Sequence, residues 1–125
     1  MRIDRHGIVG AVLLILAVFV SGVWLSDAGR PLNVVLMAVH QLVALGTAAY
    51  LAIFVYQTGQ VAKLNQAKLT SVVITGLLFL VTGVVGGLLS SDQSPAVTLL
   101  RLHQVTPVLT AVSTAVTLIL LRGRN

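Results

Sequence analysis

The stretch GIVGAVLLILAVFVSGVWL at residues 7–25 contains no charged side chain and consists mainly of Val, Leu, Ile, Ala and Gly. Three further apolar runs follow at residues 31–58, 69–91 and 95–121, and the last of them is interrupted by one charge, Arg101. Each run exceeds the roughly 18 residues that a helix needs to cross the hydrocarbon core of a bilayer. The sequence therefore predicts four transmembrane helices.

The composition leaves little room for structure outside the membrane. Of the 125 residues, 57% are hydrophobic and 9% are charged. The connections between the runs, at residues 26–30, 59–68 and 92–94, are short, and short connections place consecutive helices antiparallel to each other. We therefore expect a single all-α domain over residues 1–125, a transmembrane up-down four-helix bundle whose surroundings are the lipid bilayer.

The net charge of +5 is concentrated at one set of helix ends, which argues against a nucleic-acid partner. By the positive-inside rule, the side of the membrane that carries most Lys and Arg faces the cytoplasm. The other side carries Arg30 with Asp27 and Asp92. We therefore expect an integral protein of a bacterial or archaeal cytoplasmic membrane with both termini cytoplasmic. The basic residues on that side are Arg2, Arg5, Lys63, Lys68, Arg122 and Arg124.

The chain contains no cysteine, and this excludes several kinds of redox and catalytic site. Thiolate-held iron–sulfur clusters, covalently attached c-type haem and cysteine nucleophiles all require that residue. The apolar runs also lack Asp and Glu, the side chains that relay protons or cations through pumps and transporters. A small transporter is therefore disfavoured, and no catalytic residue can be assigned.

Two His-Gln pairs, His40-Gln41 and His103-Gln104, lie at similar places in the second and fourth runs. When the two runs are aligned on the histidines, several small residues also match. The matched pairs are Thr47 with Thr110, Ala48 with Ala111, and Ala52 with Ala115.

The first and third runs give weaker support for the same repeat. Val20-Ser-Gly-Val aligns with Val81-Thr-Gly-Val, which pairs Gly22 with Gly83. The chain is therefore predicted to be a duplicated helical hairpin, with repeats at about residues 7–58 and 69–121. Its second and fourth helices would be parallel, and each would carry one histidine.

The two histidines are expected at the same depth in the membrane. His40 lies nine residues after Pro31 and His103 eight residues after Pro95. At about 1.5 Å per residue, both lie roughly 12 to 14 Å below the outer starts of their helices. Small residues share the histidine faces and predict a slot for a flat ligand between the second and fourth helices. They include Ala44, Thr47, Pro107 and Thr110.

Two histidines at one depth favour haem over zinc or copper. Zinc and copper normally take three or four protein ligands, whereas haem iron needs only two because the porphyrin supplies the others. The sequence therefore predicts haem b with His40 and His103 as the iron ligands. Met37 is a weaker rival ligand one turn from His40, because a thioether on an apolar face more often belongs to the core.

Three polar residues on the outer side of the histidines are candidates for the haem propionates. Asn33 shares the face of His40, and Arg30 lies at the mouth of the same helix. Arg101 is about 200° around the helix from His103, so its long side chain either reaches a propionate or extends to the outer headgroups. Both positions for Arg101 remain open.

Four helices with histidines on the second and fourth, in a duplicated hairpin, resemble one four-helix half of haem A synthase and small bis-histidine b-type membrane cytochromes. The resemblance covers the whole chain as a layout, and it implies that His40 and His103 are axial ligands. It does not imply the synthase's hydroxylase activity. Met37 stands where the catalytic half of that enzyme has a glutamate, and the outer loops lack the cysteines of many bacterial members.

The function predicted from these features is that of a membrane b-type cytochrome with one haem, acting in electron transfer. Its partners would be a quinone or an extracytoplasmic redox protein, or it would be part of an oligomer or a larger complex. Whether it is a redox enzyme stays open, and a haem sensor or carrier would use the same ligands. The alternative is a cofactor-free membrane scaffold or assembly subunit of a larger complex, in which both histidines are structural.

Overall fold

The computed structural model of the protein describes residues 5–57, 64–91 and 95–123. These residues form the α-helices α1 (Arg5–Asp27), α2 (Val34–Gln57), α3 (Gln66–Ser91) and α4 (Val97–Arg122). No strand occurs in the described ranges. The predicted all-α fold with four membrane-length helices is therefore confirmed.

The four helices have the length and the surface of membrane spans. They contain 23, 24, 26 and 26 residues, which corresponds to about 35 to 39 Å at 1.5 Å per residue and exceeds the roughly 30 Å hydrocarbon core. Large apolar side chains cover their outer faces, and Leu42 and Ile119 are 68% and 69% exposed. A water-soluble protein rarely exposes so much apolar surface. The chain is an integral membrane protein.

The helix starts differ slightly from the starts of the apolar runs. Asn33 is the N-cap of α2, since its Oδ1 accepts hydrogen bonds from the backbone N–H groups of Val35 at 3.0 Å and Leu36 at 3.1 Å. The residues from Pro31 to Asn33 therefore belong to the connection. Likewise α4 begins at Val97 and not at Pro95.

Because α2 and α4 begin later than the apolar runs, each histidine lies closer to the start of its helix than expected, and the two hold the same position in their helices. His40 and His103 are each the seventh residue of their helix. Both therefore lie about 9 Å along the axis from the first helical residue. The expected 12 to 14 Å was too large because it counted the non-helical residues after each proline.

The described helices form two compact hairpins, one from α1 and α2 and the other from α3 and α4. In the first hairpin, the Tyr50 hydroxyl donates to the Gly7 carbonyl at 3.1 Å, while Ser21 contacts His40. Positions that are later in α1 thus meet positions that are earlier in α2, so the two helices are antiparallel. The hairpins follow the predicted repeats along the chain, and the single domain over residues 1–125 stays a prediction.

Four hydroxyl side chains join the helices of the second hairpin, and we call them the hydroxyl cluster: Ser71, Thr75, Ser113 and Thr117. The Ser71 and Thr117 hydroxyls lie 2.6 Å apart. The Thr75 hydroxyl lies 2.6 Å from that of Ser113 and 2.8 Å from that of Thr117. Lower numbers in α3 pair with higher numbers in α4, so this hairpin is antiparallel as well.

Candidate functional site

The imidazole of His40 lies directly against the backbone of α1 at Gly22. A Cβ atom built on Gly22 would lie 3.1 Å from Cε1 and 3.5 Å from Nδ1 of His40. The first of these distances is shorter than ordinary van der Waals contact. Gly22 therefore provides the space that the ring of His40 occupies.

Ser21 fixes the orientation of the same ring. Its hydroxyl donates to the carbonyl of Val18 at 3.0 Å, and its Oγ also lies 3.0 Å from Nδ1 of His40. A serine hydroxyl has one proton, so an Oγ that donates to Val18 can only accept from His40. With the Ser21 hydroxyl donating to Val18, Nδ1 would be the ring nitrogen that donates to Ser21, and Nε2 would carry the lone pair of the neutral ring.

The second hairpin repeats the contact between histidine and glycine. A Cβ atom on Gly86 of α3 would lie 2.9 Å from Cε1 and 3.5 Å from Nδ1 of His103. At Gly83, in contrast, no atom comes within 4 Å of the Cβ position. The counterpart of Gly22 is therefore Gly86, and the pairing of Gly22 with Gly83 was one helical turn out of place.

The two histidines thus occupy matching places in two separate hairpins. Each is the seventh residue of its helix, is half-buried, and rests on a glycine of the preceding helix. Among the residues that the structure describes, no three His, Cys, Asp or Glu side chains form a group that could hold a metal ion. The candidate ligands remain His40 of the first hairpin and His103 of the second. Met37 is half-buried in α2, and its role as a rival ligand stays a prediction.

The buried threonines on the histidine faces bond to the backbone of their own helices, and one of them also contacts the helix before it. Thr47 is buried, and its hydroxyl donates to the Val43 carbonyl at 2.7 Å. Thr110 is also buried and donates to the Thr106 carbonyl at 2.7 Å, and its Oγ1 lies 3.1 Å from the hydroxyl of Thr82. Close packing accounts for both threonines. Their contact with a cofactor stays a prediction, as does that of the half-buried Ala44.

Pro107 lies inside α4, four residues after His103. Proline has no backbone N–H, so the intrahelical bond from position 107 to the carbonyl of His103 cannot form. The regular ladder of α4 is therefore interrupted at the turn that carries the histidine. Its place in the lining of a cofactor stays a prediction.

The three predicted propionate partners, Asn33, Arg30 and Arg101, are all exposed. Asn33 caps α2 with its side-chain oxygen, which explains its presence without a ligand. Arg30 lies in the connection between α1 and α2, and Arg101 lies in the second turn of α4. His6 is also exposed, in the first turn of α1. Four charged residues of the topology prediction lie outside the described residues: Arg2, Lys63, Asp92 and Arg124.

Sequence reasoning missed Ser21 and Gly86, although hairpin geometry contains a signal for both. In an antiparallel hairpin, residues that face each other are separated from the connection by similar numbers of residues. Ser21 precedes the first connection by about as many residues as His40 follows it, and the same holds for Gly86 and His103. Counting outward from each connection would have placed both residues opposite the histidines.

Comparisons with protein-family models, with curated proteins and with solved structures found no match for this chain. The functional assignment therefore rests on the geometry of the two hairpins.

Proposed function

We propose that this protein is a membrane b-type cytochrome in which His40 and His103 are the two axial ligands of one haem b. The observation that carries the proposal is the matched placement of the two imidazoles. Each is the seventh residue of its helix and rests on a glycine of the helix before it. Ionisable side chains are costly inside a membrane, so an intramembrane histidine at the same place in both hairpins points to a functional site.

The protonation of His40 fits the role of an iron ligand. Metal-bound histidines usually donate their other ring N–H to a hydrogen-bond acceptor, which fixes both the tautomer and the orientation of the ring. Ser21 accepts such a bond from Nδ1, so Nε2 of His40 carries the lone pair that an iron ion needs. The chain thus supplies an electron pair for iron from an imidazole and needs no cysteine, methionine or carboxylate for it.

When bound, a haem with two axial imidazoles supplies one-electron transfer, because neither axial position is open to oxygen. The protein would hold one imidazole on each hairpin and exclude water from the iron with its apolar helices. Asn33, Arg30 and Arg101 lie towards the ends of α2 and α4 that are nearer the histidines, where they could bind propionates. A haem near one side of the bilayer would exchange electrons with a quinone or with a redox protein on that side. Assembly into an oligomer or a larger redox complex is compatible with the same role.

The proposal is tested by replacing each histidine with alanine. We expect the purified wild-type protein to contain noncovalent haem with a low-spin absorption spectrum. His40→Ala and His103→Ala should each abolish the low-spin species, because each removes one of the two axial ligands. His6→Ala is the matched control, since His6 is exposed in the first turn of α1 and should leave the spectrum unchanged.

Two results would overturn this assignment. Wild-type protein from haem-replete cells that is colourless and gives no Soret shift with added haem would exclude haem binding. A normal low-spin spectrum in either His40→Ala or His103→Ala would exclude that residue as an axial ligand.

A cofactor-free membrane scaffold or assembly subunit is the second candidate function. This alternative is favoured because the threonines on the histidine faces are already buried inside their hairpins, so their presence does not require a cofactor. Thr47 is only 1% exposed and Thr110 only 5% exposed. In this alternative, both histidines serve helix packing and the purified protein contains no haem.

A further inference from the structure

We propose that Ser21 is a positioning residue that selects the Nδ1–H tautomer of His40 and makes this imidazole a stronger electron donor to iron. This inference rests on the proposed haem function for its effect on the metal. The tautomer preference of His40, in contrast, does not depend on whether haem is bound. The supporting geometry is the pair of 3.0 Å contacts that Ser21 Oγ makes with the Val18 carbonyl and with His40 Nδ1.

The two contacts form a relay with a defined direction. The Val18 carbonyl can only accept, so the Ser21 hydroxyl donates to it and must accept from the ring. The edge of the His40 ring at Cε1 faces Gly22 of α1, with Nδ1 nearer to the glycine than Nε2. Ser21 and Gly22 are neighbours in sequence, so one turn of α1 provides both the hydrogen-bond acceptor and the space for the imidazole.

A hydrogen bond from Nδ1–H to an acceptor increases the basicity of the imidazole and so strengthens its bond to a metal. A stronger donor stabilises ferric iron more than ferrous iron, and the midpoint potential of the haem falls. Loss of the Ser21 hydroxyl should therefore raise the potential. By the general behaviour of residues that orient metal ligands, the loss should also weaken haem binding by about tenfold or more.

The second hairpin differs at the corresponding place. When Gly86 is matched to Gly22, the residue matched to Ser21 is Val85, which is buried and has no hydroxyl. Val85 therefore cannot accept a hydrogen bond from His103 in the way that Ser21 can accept one from His40. The inference is therefore specific to His40.

The tautomer is tested without haem, by 15N NMR of histidine-labelled, haem-free full-length protein, with His40→Ala used to assign the signals. We expect His40 to show a protonated Nδ1 and an unprotonated Nε2. Ser21→Ala should weaken this preference, because the Val18 carbonyl then remains as an acceptor for the ring. Ser21→Thr should keep the preference because threonine supplies the same oxygen. A protonated Nε2 on wild-type His40 would overturn the inference, whether or not the protein binds haem.

The effect on the metal is tested by redox titration of the haem-loaded protein. We expect Ser21→Ala to raise the midpoint potential and weaken haem retention, and Ser21→Thr to restore both. Ser71→Ala is the matched control, because it removes a half-buried serine hydroxyl from α3 that bonds to Thr117. It should leave the potential unchanged.

The outcomes separate this inference from the proposed function. Low-spin haem with an unchanged potential in Ser21→Ala would overturn the role of Ser21 and leave the axial histidines in place. An equal shift in Ser21→Ala and Ser71→Ala would also overturn it, because a general loss of packing would then be the cause. A wild-type protein without haem would overturn the proposed function, while the 15N measurement would still decide the tautomer.

Discussion

At the scale of single residues, the most informative contact is that between an imidazole and the backbone of a neighbouring helix. Side chains longer than glycine would keep the two helices of each hairpin further apart at the histidine. Gly22 and Gly86 remove that obstacle, and the ring takes the space that a Cβ atom would fill. Small residues at helix contacts in membranes generally serve this close approach. Here the group that approaches is a potential ligand.

We expect Gly86→Ala to displace the ring of His103, because the new Cβ would lie 2.9 Å from Cε1. Overpacking of this kind typically costs about 1 to 3 kcal/mol, and the displaced imidazole should lose low-spin haem. Gly87→Ala is the matched control, since no atom lies within 4 Å of its Cβ position. Absorption spectra and thermal unfolding of the two variants measure the difference. Equal behaviour of the two variants would show that the contact with Gly86 is unimportant.

At the scale of the helices, the two helices within each hairpin are held together by contacts that differ in kind between the first hairpin and the second. Lipid tails are as apolar as leucine, so helices in a membrane associate through close packing and hydrogen bonds. The second hairpin uses the hydroxyl cluster, in which three pairs of hydroxyls lie 2.6 to 2.8 Å apart. The first hairpin uses the bond from Tyr50 to Gly7 and the contact of Ser21 with His40.

We expect Thr75→Val to destabilise the second hairpin, because Thr75 contacts both Ser113 and Thr117. Hydrogen bonds between membrane helices contribute about 0.6 kcal/mol each on average, so the loss should be on the order of 1 kcal/mol. Thr70→Val is the control, because Thr70 is exposed on the same helix. The free energy of unfolding in mixed micelles measures both variants, and an equally stable Thr75→Val would argue against the cluster as a stabilising contact.

The sequence predicts the four helices well and the contacts between them poorly. Hydrophobic runs located all four helices to within a few residues, because spanning a bilayer requires uninterrupted apolar surface. The start of α2 was missed because Asn33 and Pro31 belong to an uncharged run but serve as a cap and a connection. Contacts across a hairpin were missed because they depend on how two helices are paired. The members of the hydroxyl cluster are four residues apart in each helix, which places each pair on one helix face, but that spacing does not say which two helices are paired.

At the scale of the whole molecule, charge is distributed unevenly between the ends of the hairpins. In the second hairpin, the Lys68 ammonium donates to the Gly123 carbonyl at 3.2 Å, so the start of α3 and the end of α4 meet at one basic end. Arg122 lies at that end as well. In the first hairpin, Arg5 begins α1, and Asp27 ends it at the opposite side. The connection at that opposite end also carries Arg30, so the charges of Asp27 and Arg30 balance there.

We expect the basic ends to face the cytoplasm, since Lys and Arg near short loops are retained on that side during insertion. Both chain termini would then be cytoplasmic, and the histidines would lie in the outer half of the bilayer. A reporter that is active only in the cytoplasm, fused after Asn125, should be active. A cysteine placed at Asp27 should react with a membrane-impermeant reagent in intact cells, whereas one placed at Lys68 should react only after lysis. The reverse labelling pattern would invert the orientation, and the proposed haem would then exchange electrons with partners on the cytoplasmic side.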